Sequence, residues 1–102
     1  NLKTGSVLSV KGKIAAQEVE VTTSNWPDYV FDEEYQLQSL AEIESFIKTN
    51  KHLPEIPNSE QVANEGVKLG EMNKLLLKKV EELTLHVISL RKELDEVKKN
   101  QQ

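Results

Sequence analysis

The sequence predicts an α+β fold, with N-terminal β stem strands, a small helical head and a long C-terminal helix that forms a coiled coil. Three observations support this prediction. Apolar and polar residues alternate near the N-terminus, two helix-capping patterns lie in the middle of the chain, and a heptad repeat spans residues 69–97. We therefore divide the chain into a β-strand fibre stem at 1–22, an aromatic knot with the helical head at 23–68, and the coiled-coil helix at 69–102.

The N-terminal segment has the two-residue period of short β strands. Leu8, Val10, Ile14 and Ala16 fall on one parity, whereas Val19 and Val21 fall on the other. This change of parity predicts a bulge or a bend near Gln17. Strands this short do not form a stable sheet alone, so we expect them to pair within the domain or with other copies of the chain.

Four of the five aromatic residues lie within residues 22–35, where Pro27 fixes a turn after Trp26. We expect these rings to form the main core of the head, together with the apolar stripe of the helix that follows. The alternative is an exposed platform that stacks on the sugar rings of a glycan. The predicted head core consists of Trp26, Tyr29, Phe31, Tyr35, Leu40, Ile43, Phe46 and Ile47.

A helix follows the aromatic segment. Ser39 with Glu42 three residues later is a capping-box pattern, and the apolar residues after it have the spacing of one buried helix face. The helix should end near Asn50.

A second, shorter helix is predicted after a proline-rich connection. The two prolines within residues 51–57 forbid a helix there and predict an extended segment. Asn58 with Gln61 then forms the next cap, and Gly66 closes the helix.

The heptad repeat indicates a coiled coil. No proline interrupts it, and eight of its nine core positions are apolar, the ninth being Asn73. A lone helix would leave this seam in water, so partner helices must cover it, and identical chains are the simplest source. The predicted oligomer seam has Leu69, Leu76, Leu83, Leu90 and Val97 at position d, and Asn73, Val80, Val87 and Leu94 at position a.

The number of helices in the coil stays open at this point. Valine at position a with leucine at position d favours two strands. Apolar residues outside the seam widen the apolar surface, which favours three strands or packing against the rest of the domain. These residues are Met72, Leu75, Leu77, Leu85 and Ile88.

Composition excludes several classes of partner. The net charge is -4, and the basic residues alternate with Glu as on a solvated coil face, which argues against nucleic acid. No apolar run is long enough for membrane insertion. Because the chain has no Cys, it forms neither disulfides nor thiolate metal sites.

No catalytic, cofactor-binding or metal-binding residue is predicted. His52 and His86 are too far apart for a local metal motif, and His86 at position g is better explained as a polar residue that flanks the seam than as a ligand at an oligomer axis. His52 fits a surface or turn position. The acidic residues at 32–34 and 81–82 should be solvated rather than paired across a pocket.

Four blocks of the sequence together resemble the C-terminal domain of bacterial and phage tail-fibre-like proteins. The chain is also distantly similar to the intramolecular chaperone domain of endosialidase-type tailspikes. The blocks are GKIAAQEV at 12–19, WPDYVF at 26–31, HLPEIP at 52–57 and GEMNKLLLKKVEELTL at 70–85.

The resemblance implies a parallel homotrimer at the tip of an elongated fibre, in which the helices join three chains and set their register. Self-cleaving tailspike chaperones carry a Ser-Asp dipeptide followed by basic residues. The comparable place here reads TSNWP at 23–27, and no basic residue follows it until Lys48. We therefore expect no autoproteolysis and carry over no catalytic residue.

The first functional hypothesis is a non-enzymatic, chaperone-like trimerisation and folding domain of a fibre or adhesin. Its location would be a virion fibre or the bacterial extracellular surface, and its partner would be itself, without a cofactor. One alternative is a fibre tip that binds a host receptor or a glycan through the aromatic segment. The second alternative is a self-cleaving chaperone domain of the tailspike type.

Overall fold

A computed structural model describes residues 4–101, and within them the chain forms three helices. Helix α1 spans Leu40–Asn50, α2 spans Ser59–Glu65 and α3 spans Leu69–Asn100. Residues 4–39 contain no helix and follow an extended or turning path before α1.

The predicted α+β fold is wrong, because no β strand is present between residues 4 and 101. The N-terminal segment is extended, but nearly all of its side chains are exposed, Val7 and Leu8 among them. A strand requires a hydrogen-bonded neighbour, and alternation of apolar and polar residues does not supply one within a single chain. Residues 1–3 of the predicted stem, like residue 102, lie outside the described part.

The first two helices are confirmed where their caps predicted them. The Ser39 hydroxyl accepts the Glu42 amide at 3.1 Å, and the Asn58 carboxamide oxygen accepts the Gln61 amide at 2.8 Å. Both side chains at the third helical position bond back to the cap residue, which completes a capping box at each helix. Gly66 ends α2 with a positive φ of 75°.

The connection between α1 and α2 does not run extended as predicted. The Ile56 amide donates to the Leu53 carbonyl at 3.2 Å, which closes a turn with Pro54 and Glu55 at its centre. Glu55 has a φ of 71°, a left-handed conformation that is unusual for a residue other than glycine. The turn places the Glu55 side chain against α3.

Helix α3 begins at Leu69 without a side-chain cap on Lys68. The N-terminal segment crosses its first turn closely, because a Cβ atom on Gly70 would lie 2.8 Å from Cγ1 of Val21. The Lys74 ammonium donates to the Ser24 carbonyl at 2.7 Å and holds the same crossing. The absence of a side chain at Gly70 therefore lets the chain enter the head beside the start of α3.

The molecule is elongated because α3 extends past the head. Its principal extents are 68 × 30 × 28 Å, and its radius of gyration of 18.9 Å exceeds the roughly 13 Å of a compact domain of this length. Residues 23–58 pack along the first half of α3. Residues 87–101 are all exposed, so no other part of residues 4–101 covers the second half of the helix.

The capping box of α1 gives a matched pair of variants. Replacing Ser39 by Ala should destabilise α1 by about 1 kcal/mol, because the amide of Glu42 loses its acceptor. Replacing Ser45 by Ala removes the same hydroxyl from the exposed middle of the helix and should be neutral or slightly stabilising. Hydrogen exchange of the α1 amides measures the difference, and equal protection in the two variants would contradict it.

Candidate assembly interface

Helix α3 has two different faces in its first half. One face carries the head, and the other, formed by the nine predicted seam residues, is uncovered. We name the latter the bare seam. Heptad positions b, c and f make up most of the covered face, whereas positions a and d make up the bare seam.

The covered face packs the head through a small apolar centre. Val30 is 1% exposed and Pro27 is buried, and they lie in the segment that runs along α3. On the helix side, Leu75 and Leu85 are partly buried, and Leu85 lines one cavity together with Val30. Packing against the head therefore accounts for these apolar residues outside the seam.

A polar network, the lysine clamp, fixes the head to the same face. The Lys78 and Lys79 ammonium groups bind the two carboxylate oxygens of Glu55 at 2.6 and 2.9 Å. Lys79 also pairs with Glu82 at 3.2 Å, and the Tyr35 hydroxyl donates to Glu82 at 2.5 Å. These five residues join the aromatic segment, the turn after α1 and two turns of α3.

The ionisation of the lysine clamp follows from these contacts. Burial, followed by the hydrogen bond to the Glu82 carboxylate, raises the pKa of Tyr35 above its ordinary value. Burial acts to raise the pKa of Glu55, but the hydrogen bonds from Lys78 and Lys79 outweigh it and lower that pKa. These contacts therefore favour the neutral phenol of Tyr35 and the charged carboxylate of Glu55.

The lysine clamp corrects the expectation that the basic residues of α3 form a solvated face. Lys78 and Lys79 are only 15% and 16% exposed, and the Lys78 ammonium lies 5.8 Å from the centre of the Tyr29 ring. Glu82, also predicted to be solvated, is bonded on both sides. One feature of the sequence indicates that this face is covered, namely leucine at positions c and f. These positions are normally polar when the outer face of a coiled coil is in water.

The bare seam is uncovered along its whole length. The eight apolar side chains in it are between 47% and 59% exposed, and Asn73 is exposed as well. A ridge of eight half-exposed Leu and Val residues is a larger apolar surface than a monomeric helix normally leaves in water. The structure thus brings the predicted seam residues into one continuous row without covering them.

An apolar groove adjoins the bare seam on the side of α1. It encloses about 450 Å³, and His86 at its end is buried. The His86 Nε2 atom is covered and makes no hydrogen bond with any other residue in the described part of the chain. We name this the α1–α3 groove, and its apolar walls are Leu40, Ile43 and Leu53 from the head and Leu76, Val80 and Leu83 from α3.

The predicted aromatic core is only partly buried in the single chain. Tyr35 is partly covered and packs against Tyr29 with ring centroids 5.8 Å apart, and Phe46 contacts the His52 ring edge-on at 5.3 Å. The other predicted core positions are partly or half exposed. In the aromatic segment, Val30 and Pro27 face α3, and the aromatic rings do not take that place. The exposed members are Trp26, Tyr29, Phe31, Leu40 and Ile47, and Ile43 is partly covered.

The remaining chemical candidates form no cluster. Within residues 4–101, no group of three or more His, Cys, Asp or Glu side chains could hold a metal ion. His52 lies in the turn after α1, where its Nδ1 atom is 2.8 Å from the Leu53 carbonyl oxygen, and the acidic residues 32–34 are exposed. None of the helices in this range is long and apolar enough to cross a membrane.

Comparison of the chain with protein-family models, with curated proteins and with solved structures found no match. The resemblance to tail-fibre domains thus rests on the four sequence blocks alone.

The Tyr35 hydroxyl can be tested against a matched tyrosine. Tyr35→Phe should destabilise the protein by about 1 kcal/mol, since the Glu82 carboxylate loses a charge-assisted hydrogen bond. Because the folded state raises the pKa of Tyr35, the wild type should also lose stability as the pH rises above the ordinary tyrosine pKa, and Tyr35→Phe should lose less. Denaturant unfolding measures both effects. Tyr29→Phe, which removes a hydroxyl from the neighbouring ring, should leave the stability at neutral pH unchanged, and equal destabilisation by the two variants at neutral pH would contradict the role of Tyr35.

The ion pairs of Glu55 predict that the stability of the fold decreases in acid. The pKa of Glu55 is lowered in the folded protein, so its contribution to stability is present above the ordinary Glu pKa and is lost as the pH falls through the folded value. Glu55→Gln should therefore flatten the decline of the thermal midpoint between about pH 6 and about pH 3. Glu44→Gln, at an exposed carboxylate of α1, serves as the control. A wild-type acid profile in Glu55→Gln would show that the lysine clamp does not stabilise the fold.

Proposed function

We propose that this chain is a non-enzymatic assembly domain, which joins three parallel copies of a fibre- or adhesin-like protein at a virion or bacterial surface. The observation that carries the proposal is the bare seam, a heptad ridge on a 32-residue helix that the described part of the chain leaves half exposed. The hydrophobic effect favours removing such a ridge from water, and a second helix with the same repeat fits it in register.

The charges beside the seam favour identical, parallel partners. In a parallel coil, position g of one helix faces position e of the next helix five residues further along. Glu93 at g then faces Lys98 at e of a neighbouring copy, and both are exposed in the single chain. An antiparallel arrangement would instead place e positions together, and Arg91 and Lys98 at e carry the same charge.

The choice of three copies rests on the resemblance to tail-fibre domains. Valine at position a with leucine at position d favours two strands, and the head accounts for Leu75 and Leu85 outside the seam. These two residues therefore give no separate support for three copies. A trimer is the assembly that the resemblance implies, and the mass in solution distinguishes it from a dimer.

The position of the N-terminal segment supports a role in folding. Val21 lies against Gly70 at the start of α3, so a parallel assembly of the helices brings three copies of the preceding segment together. Helices form from local contacts and fold quickly, whereas contacts between extended chains form slowly. Joining the helices first would raise the effective concentration of the segments that precede them.

A second candidate function is recognition of a glycan or a surface receptor. The observation in its favour is that Trp26, Tyr29 and Phe31 are about half exposed, although aromatic rings of this size are usually buried. A glycan array with the wild type and with Trp26→Ala tests it. Binding that is lost in Trp26→Ala while the oligomer persists would support this function, and absence of binding by the wild type would reject it.

A charge placed in the seam tests the assembly directly. Leu90→Lys should convert the oligomer to monomer at micromolar concentration, because each chain loses about 2 kcal/mol of apolar burial and the new ammonium groups meet at the axis. Ser89→Lys adds the same charge at the exposed neighbouring position c and should leave the mass unchanged. Sedimentation equilibrium measures both, and an intact oligomer in Leu90→Lys would refute the proposed function.

A further inference from the structure

We infer that the head is part of the assembly interface, and that the α1–α3 groove receives helix α3 of a neighbouring copy. The inference rests on the proposed function, which requires only that the bare seams of different copies pack together. In addition, each neighbouring helix would lie between α3 and α1 of this chain. The domain would then be an interlocked assembly rather than a coiled coil with heads attached outside.

The groove is continuous with the bare seam. Leu76, Val80 and Leu83 belong to both surfaces, so a helix that covers these residues also enters the groove. The walls of the groove include Lys79 and His86, which are both at position g and therefore flank the seam on this side. Packed helices lie about 8–10 Å apart, so a helix on the seam comes within reach of Leu40 and Leu53 on the head.

The chemistry of the groove fits an apolar occupant. Leu40 and Leu53 are 43% and 44% exposed, which is close to the exposure of the bare seam. The Lys79 ammonium on its walls already binds Glu55 and Glu82, and the unpaired His86 Nε2 atom is covered by other atoms. With Glu82 bonded also to Tyr35, these groups offer little to a charged or polar ligand.

The neighbouring helix offers a matching surface. In the parallel register, Lys79 at position g faces Thr84 at position e of the neighbouring copy. The Thr84 hydroxyl donates to the Val80 carbonyl of its own helix at 2.8 Å, so it can enter an apolar groove without an unpaired donor. Val80 and Val87 lie at position a on the same side of the helix. The occupant is therefore the stretch of α3 around Thr84 in the second copy.

Paired substitutions separate the groove from other apolar surface on the head. Leu40→Gln with Leu53→Gln should raise the dissociation constant of the assembly by at least about tenfold, because two apolar contacts to the neighbouring helix are lost. Ile47→Gln with Val62→Gln alters two residues of similar exposure, 39% and 37%, which do not line the groove. This control should leave the dissociation constant unchanged, as measured by sedimentation equilibrium.

Crosslinking identifies the occupant. Because the chain has no Cys, copies carrying Leu53→Cys can be mixed by refolding with copies carrying Thr84→Cys and treated with a short bis-maleimide. A link between the two kinds of copy is expected, whereas Lys92→Cys, at the outer position f, should give none. A link to Leu8→Cys in place of Thr84→Cys would assign the groove to the N-terminal segment and overturn the inference.

The failures of the two proposals are distinguishable. If the wild type is an oligomer and both pairs of glutamine variants have the same dissociation constant as the wild type, the seam assembles without the groove and only the present inference fails. If the wild type is a monomer, the proposed function fails with it.

Discussion

The structure depends on one helix that has two apolar surfaces. The head covers positions c and f in the first half of α3, and the seam at positions a and d stays in water from Leu69 to Val97. Burial of apolar surface is the main favourable term in folding, and Val30 is the only fully buried hydrophobic residue within residues 4–101. Covering the seam with other copies would therefore bury eight further apolar side chains.

The lysine clamp connects the two surfaces. It fixes the turn at Glu55 and the aromatic segment at Tyr35 to two turns of α3, and the left-handed backbone of Glu55 aims its carboxylate at both lysines. Isolated surface ion pairs contribute little, but this network is partly buried and has five members. Its geometric effect is to hold α1 beside the seam, which creates the α1–α3 groove.

Local features could be predicted from the sequence, and tertiary features could not. The caps at Ser39 and Asn58 and the start of α3 at Leu69 follow from residues within one turn of each other, and the structure has them where expected. The prediction of β strands was wrong because alternation of apolar and polar residues specifies a face but not a hydrogen-bonding partner. The roles of Lys78 and Lys79 could not be predicted, because the sequence of a helix does not distinguish a solvated lysine from one that packs against another part of the chain.

The central claim is that copies of this chain cover the bare seam, and the mass of the intact 102-residue chain in solution tests it most directly. Sedimentation at micromolar concentration should give three times the chain mass of 11.6 kDa. Twice the chain mass would support assembly through the bare seam but with two copies instead of three. A folded, helical species of 11.6 kDa at the same concentration would contradict the account.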